Sequence, residues 1–304
     1  MECLNLGCSA VCSFDCGNPD HYRCLGKARF KAGHALIFHL VDVGSAAEAA
    51  WEYLCAPDRQ LLTAPFRNET TAKAIIKFLC STHDLGKLNG EFQQRCRMKV
   101  EQPRFEDPGP DENQHSVSTR PLLYHWLTGR WTWPERVSLD ISDAVASHHE
   151  DLRGRQPKPY ELSHLAHDET MVDGNYLAQA KWMILTLAGL YGVKDQQQIR
   201  GDLAEFLPRF REFIRVSDLV GSNSNNLSIQ PVCLDRYIPK SVECSKLFLR
   251  GPNWTQCKKF NWYARVDGGM YSALDWMNSA LGNDAPEVVL SPWSECEAIW
   301  NWLR

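Results

Sequence analysis

Apolar residues recur every three to four positions in six stretches of this chain, 36–54, 71–82, 116–127, 139–148, 175–191 and 203–220. That period matches the 3.6-residue turn of an α-helix and gives each stretch one face to bury. Alternating runs that would mark strands are scarce, so the spacing predicts a mostly α-helical fold. Two polar, proline-bearing intervals, 99–114 and 153–164, separate helices and read as long loops. Loops of that length beside a site often serve as lids. Beyond the last periodic stretch the chain enters the polar run GSNSNNLSIQP, and from about residue 230 it becomes tryptophan-rich with weaker periodicity. A soft boundary near residue 228 follows. The expectation is a main domain over 1–228 and a small tryptophan-rich C-terminal appendage over 229–304, serving as a docking or nucleic-acid-contacting extension.

Composition narrows the function classes. With 304 residues, 44% of them hydrophobic, the chain can bury a full core. Its 33 basic and 37 acidic residues give a formal net charge of −4, so the field of the whole molecule does not attract a polyanion. Any nucleic-acid contact must use a local basic patch or bound metal. The 12 cysteines sit in a long chain whose N-terminus, MECLNLGCSAVCSFDC, lacks the basic-then-apolar pattern of a leader, and they read as reduced cytoplasmic thiols. Cys8, Cys12, Cys16 and Cys24 are separated by three, three and seven residues, unlike the closely paired ligands of structural zinc, and read as thiols of an irregular segment. The longest apolar stretch, 183–193, falls short of the roughly 20 residues that cross a bilayer. No membrane span is expected.

The sharpest local feature is STHDLGKLNGEFQ, in which His83 and Asp84 close a helical stretch and Gly86 and Lys87 begin a turn. His39, His83, Asp84, His115, His148, His149 and Asp218 each fall in or beside a predicted helix. Neutral imidazoles with carboxylates suit Mn, Fe, Co, Ni or Zn, and a dinuclear site needs about six such ligands and a bridging oxygen. The paired His148 and His149 follow the helical ISDAVA; alone, they also suit a solvated pair favoured at a helix C-terminus. Asp218, among apolar neighbours in FIRVSDLVGSN, also suits a buried, paired aspartate.

Six segments in order, LGKARF, HALIFHLVDVGSAAEAAWEYL, FLCSTHDLGKLNGEFQ, QHSVSTRPLLYHWL, DAVASHHED and VSDLVGSN, together resemble the HD nuclease domain of the CRISPR-associated type I helicase-nuclease. That family lies within the HD superfamily of metal-dependent phosphohydrolases, and the likeness spans about residues 20–225. It implies an HD-domain helical bundle holding two divalent transition-metal ions, Mn, Fe, Co or Ni. Carried over by position, His39, His83, Asp84 and Asp218 would hold one ion, and Asp84, His115, His148 and His149 the second. Asp84 would bridge them, with Lys87 as a point charge near the scissile phosphate; these two are the expected catalytic residues. The chain departs from the family at Glu150, where glycine is common, and at Leu219, where tryptophan is common. It also contains no G-x-x-x-x-G-K-[ST] phosphate loop, so an ATP-driven helicase would be a separate partner.

The function implied is endonucleolytic hydrolysis of phosphodiester bonds in single-stranded DNA, in antiviral defence, alongside a type I CRISPR surveillance complex. Arg95, Arg97, Lys99, Arg153, Arg155 and Lys158 flank the ligand segments and suit either tracking of the DNA backbone or an ordinary mixed-charge surface. Two alternatives stay open: an HD phosphohydrolase of nucleotides or cyclic dinucleotides, and a non-catalytic module docking on a CRISPR complex. In the tail, Arg250, Lys258, Lys259 and Arg265 interleave with aromatics, which fits a base-stacking surface but better fits tryptophans that cap the core. His34 and His125 lie beside ligand segments but off the matching positions, and His21, His164 and His167 fall in loops.

Overall fold

Helix α1 (Leu36–Trp51) runs through the middle of the molecule, and every one of its residues except Glu48 is buried. A helix apolar on all sides must be surrounded by others. In the computed structural model, which describes residues 24–29, 32–102, 114–148, 176–193, 199–200, 203–224, 234–249, 263–266 and 269–272, it is. Around it stand α3 (Glu69–Ser81), α8 (Phe206–Ser224) and α9 (Leu234–Leu249). The remaining described helices are α2 (Ala56–Thr63), α4 (Gly90–Glu101), α5 (Gln114–Gly129), α6 (Glu135–Ala146) and α7 (Tyr176–Leu190), and a 3-10 turn, Leu85–Leu88, links α3 to α4. An antiparallel hairpin, β1 (Leu25–Arg29) with β2 (Ala32–Ala35), leads into α1. A second, β3 (Tyr263–Val266) with β4 (Gly269–Ser272), lies in the tail. No helix among the described residues is long and apolar enough to cross a membrane.

The six periodic stretches correspond to α1, α3, α5, α6, α7 and α8. In α3 the buried residues Ala72, Ile75, Ile76 and Leu79 keep the helical spacing. Asn68 caps its start, the side chain accepting from the Thr71 N–H at 2.8 Å. Asn89 caps α4 in the same way, accepting from Phe92 N–H at 3.0 Å. Aromatic pairs fill the spaces between helices: Trp51 meets Phe213 edge-on, and Phe78 lies against Trp131 with centroids 5.2 Å apart.

The region after residue 220 is described only in part. Residues 225–233, which contain the boundary near 228, lie outside the described residues, but α9 beyond them is packed into the bundle. The Tyr237 ring lies 4.7 Å from that of Phe38, Ser241 Oγ donates to buried Asp42 Oδ1 at 2.8 Å, and Lys246 pairs with Glu52 at 3.1 Å. This helix packs against α1 and α8. Its buried face includes Ser241 and Ser245, which dilutes the apolar period that would have revealed it. The tryptophans of the tail lie outside the described residues.

One glycine governs how closely two helices cross. A Cβ on Gly221 of α8 would lie 2.8 Å from both Cα and N of Val43, closer than real side chains approach backbone. Only glycine lets α8 reach α1 at this point, one turn beyond Asp218 and close in sequence to His39.

Candidate metal centre

The sequence STHD acts first as a helix terminus. An α-helix leaves its last carbonyls without partners inside the helix. Here three consecutive side chains turn back to satisfy them: Ser81 Oγ donates to Phe78 O at 2.6 Å, Thr82 Oγ1 to Leu79 O at 2.8 Å, and His83 Nδ1 to Cys80 O at 2.9 Å. Because a carbonyl only accepts, the proton is on Nδ1 of His83 and the other nitrogen, Nε2, faces inward. A hydrogen bond on one imidazole nitrogen selects the tautomer that presents the other to a metal.

The end of α6 repeats the device. Ser147 Oγ donates to Ala144 O at 3.5 Å and His148 Nδ1 to Val145 O at 3.0 Å. The two imidazoles then meet edge to face with centroids 4.6 Å apart. From α8, Arg215 Nε donates to the His148 carbonyl at 3.1 Å and fixes this turn against the neighbouring helix.

Asp84 is the point on which these groups converge. Its Oδ2 accepts from His39 Nε2 at 2.8 Å, lies 3.1 Å from His83 Nε2 and pairs with Lys87 Nζ at 2.5 Å. The other oxygen, Oδ1, faces His148 Nε2 at 3.6 Å. Asp218 arrives from α8 with Oδ1 3.3 Å from His83 Nε2 and is itself oriented by Ser222 Oγ, which donates at 2.8 Å. Donor atoms of His39, His83, Asp84 and Asp218 all lie within 4.8 Å of one another.

Burial and charge compete strongly here. Burial would raise the Asp84 and Asp218 carboxyls, yet the His83 imidazolium, helped by Lys87 at Asp84, holds both well below the ordinary carboxylate range. Burial would lower His83, but Asp84 and Asp218 prevail and push it up to about 9. His83 Nε2 is fully enclosed and sits between two carboxylate oxygens without hydrogen-bond alignment to either. Two imidazoles and two carboxylates at this spacing, with His83 Nε2 so placed, fit a divalent transition ion.

Of the residues singled out in the sequence, His39, His83, Asp84, Lys87, His148 and Asp218 come together. His115 stands in α5, and its side chain lies outside the described residues, as do His149, Arg153, Arg155 and Lys158. Arg95 and Arg97 stand on α4, which begins directly after the turn bearing Lys87; Arg97 is exposed and Arg95 half-buried. His34 is separate: its Nε2 donates to Asp42 Oδ2 at 2.8 Å. Cys24 is also outside the cluster, donating to Gln179 Oε1 at 3.0 Å, and burial raises its pKa to about 11.

Supporting residues went unnoticed in the sequence. Gln93 Nε2 donates to the carbonyls of Leu25 and Lys87 while its Oε1 accepts from Leu25 N–H, tying β1 to the Lys87 turn. Arg120 of α5 pairs with Asp143 of α6, joining the helix that bears His115 to the one that leads into His148. The sequence did carry a signal for His83 and His148, the hydroxyl residue directly before each histidine at a helix end. For Gln93 and Arg120 no local pattern announces a partner so distant in the chain.

A helical bundle that gathers imidazoles and carboxylates from several helices at one buried point defines a histidine–aspartate metal domain. The chain belongs to the Cas3 HD domain family, whose description, "Cas3, HD domain", matches residues 25–227. No curated protein matches the chain by sequence. Among solved structures, T. fusca Cas3 with ADP is 19% identical with a TM-score of 0.58 over 75% of this chain. A CRISPR RNA-guided surveillance complex in a pre-nicking state is 20% identical with a TM-score of 0.60 over 78%. The chain spans only 27% of the T. fusca chain and 30% of the chain in the complex. It spans 93% of the Thermus thermophilus cas3 HD domain, solved in the presence of Ni2+, at 20% identity, a TM-score of 0.56 and 79% coverage of this chain. At these identities the likeness establishes the fold.

Proposed function

We propose that this chain is a metal-dependent nuclease that hydrolyses phosphodiester bonds in single-stranded DNA within a type I CRISPR system. The observation that carries the reading is the convergence of His39, His83, Asp84 and Asp218 on one buried point in a chain of the Cas3 HD family. A divalent transition ion held there supplies Lewis-acid chemistry, activating water and neutralising charge on the phosphate.

The residues divide into two sets around Asp84. Its Oδ2 faces His39 and His83, beside Asp218, while its Oδ1 faces His148, so a single carboxylate can serve both. His115 and His149 would complete the second set. The Nδ1–H bonds of His83 and His148 keep their Nε2 atoms aimed inward without reorganisation. Lys87, partly exposed and next to Asp84, orients a phosphate oxygen as a point charge. Arg95 and Arg97, with Arg153, Arg155 and Lys158, would hold the DNA backbone. A flexible single strand brings its phosphate to such an enclosed cluster more readily than a stiff duplex.

These residues hold no phosphate loop, so unwinding lies outside them, and the surveillance complex would supply the displaced strand. The test is cleavage of labelled single-stranded DNA with Mn, Co, Ni or Fe set against Mg alone. Imidazole-rich sites favour the later transition ions, so cleavage with those and weak activity with Mg are expected. Hydrolysis of nucleotides or cyclic dinucleotides with DNA untouched would overturn the nuclease reading.

A further inference from the structure

From Thr82 to Asn89 the backbone follows a ladder of 3-10 hydrogen bonds. Leu85 N–H donates to Thr82 O at 3.2 Å, Lys87 N–H to Asp84 O at 2.9 Å and Asn89 N–H to Gly86 O at 3.0 Å. At the rung between His83 and Gly86 a side chain from another helix intervenes. Gly86 N–H donates to Thr119 Oγ1 at 2.8 Å, and the same hydroxyl donates to His83 O at 3.1 Å. Asp84 is one of the two residues inside the turn that the hydroxyl bridges.

We propose that Thr119 is a positioning residue for the candidate metal centre: its hydroxyl holds open the turn from His83 to Gly86 and so sets the direction in which Asp84 points. The proposal rests on reading the Asp84 cluster as a metal centre. Thr119 is fully buried, and its hydroxyl gives its one hydrogen to His83 O while accepting from Gly86. Threonine in a helix commonly bonds back to its own preceding turn; this one reaches across to the next element. Its branched Cβ restricts χ1, so the reach is stiff.

A second consequence concerns α5. This helix packs along the 3-10 turn, and Thr119 stands one turn after His115. The hydroxyl that shapes the Asp84 turn also fixes the spacing between that turn and the helix from which the second ligand set draws His115. Removing it leaves the buried Gly86 N–H and His83 C=O either unsatisfied or bonded directly to each other. In both cases the backbone on each side of Asp84 moves.

The experiment compares Ni2+ affinity by calorimetry in the wild type, Thr119→Val, Thr119→Ser and Thr119→Ala, with thermal melts of each as folding controls. Loss of such an outer partner weakens metal binding by about 10–100-fold. The Val and Ala variants are expected to show that loss while still folded, and Ser to retain near wild-type affinity because it keeps the hydroxyl. Alanine, with less bulk beside the turn, carries the test if valine prevents folding. A folded Val or Ala variant that melts lower but binds Ni2+ as tightly as the wild type would reduce Thr119 to a structural role and overturn the proposal. So would a Ser variant as weak as Val. A wild type that binds no Ni2+ overturns the metal centre itself, an outcome distinct from equal binding by wild type and variants.

Discussion

His83 Nε2 and Asp218 Oδ1 lie 3.3 Å apart although one residue follows the end of α3 and the other lies within α8. Their meeting depends on the close crossing of α8 over α1, and that crossing depends on Gly221 having no side chain. The backbone of α1 at Val43 occupies the space a Cβ would need.

Gly221→Ala is therefore expected to force the two helices apart. Overpacking of this kind costs about 1–3 kcal/mol, read as a lower urea midpoint with an unchanged slope. Metal affinity should fall as well, because Asp218 recedes from His83. Unchanged stability would show that the crossing does not depend on glycine.

The pH dependence has a definite sign. In the absence of metal the His83 imidazolium, held up to about 9 by Asp84 and Asp218, contributes stability that is fully present below its unfolded value near 6.5 and is lost as pH rises through about 9. A metal needs the neutral imidazole, so binding at neutral pH must release this proton. Affinity for Ni2+ should rise between pH 6 and 8, by up to about tenfold per unit for the one proton released. Calorimetric heats measured in two buffers of different ionisation enthalpy should differ accordingly; identical heats would contradict a proton held at His83.

Much of this arrangement was legible in the sequence because it is local. The helical periods of α1, α3 and α8 are strong, and the likeness to the HD nuclease family points to His39, His83, Asp84 and Asp218, two of them just past the end of α3. What escaped depends on partners far along the chain. The polar helix α4 offers little apolar period, and Gln93, its link to β1 and to Lys87, has no distinguishing neighbours. Strands β1 and β2 have five and four residues, too few for alternation to stand out. In α9, serines on the buried face obscured a helix that packs on α1, and Thr119 looks like any helical threonine until Gly86 and His83 are seen around it.

Lys87 tests the division between holding metal and handling substrate. Its ammonium competes with any cation for Asp84 Oδ2, so Lys87→Ala should bind Ni2+ as tightly as the wild type or more tightly. Cleavage of single-stranded DNA should nevertheless fall by about 100-fold or more, the usual effect of removing one charged or donating group from a developing anion. A variant that loses metal and activity together would assign Lys87 to the centre's framework instead.

The central claim, a two-ion centre bridged by Asp84, is tested most directly by metal stoichiometry in the wild type, Asp84→Ala and His149→Ala, with circular dichroism confirming that each is folded. The described helical core is built on buried apolar side chains rather than on metal, so all three should keep their helix content. The account predicts two transition ions per wild-type chain, none in Asp84→Ala and one in His149→Ala. Retention of both ions by Asp84→Ala, or a wild type that never holds more than one, would contradict it.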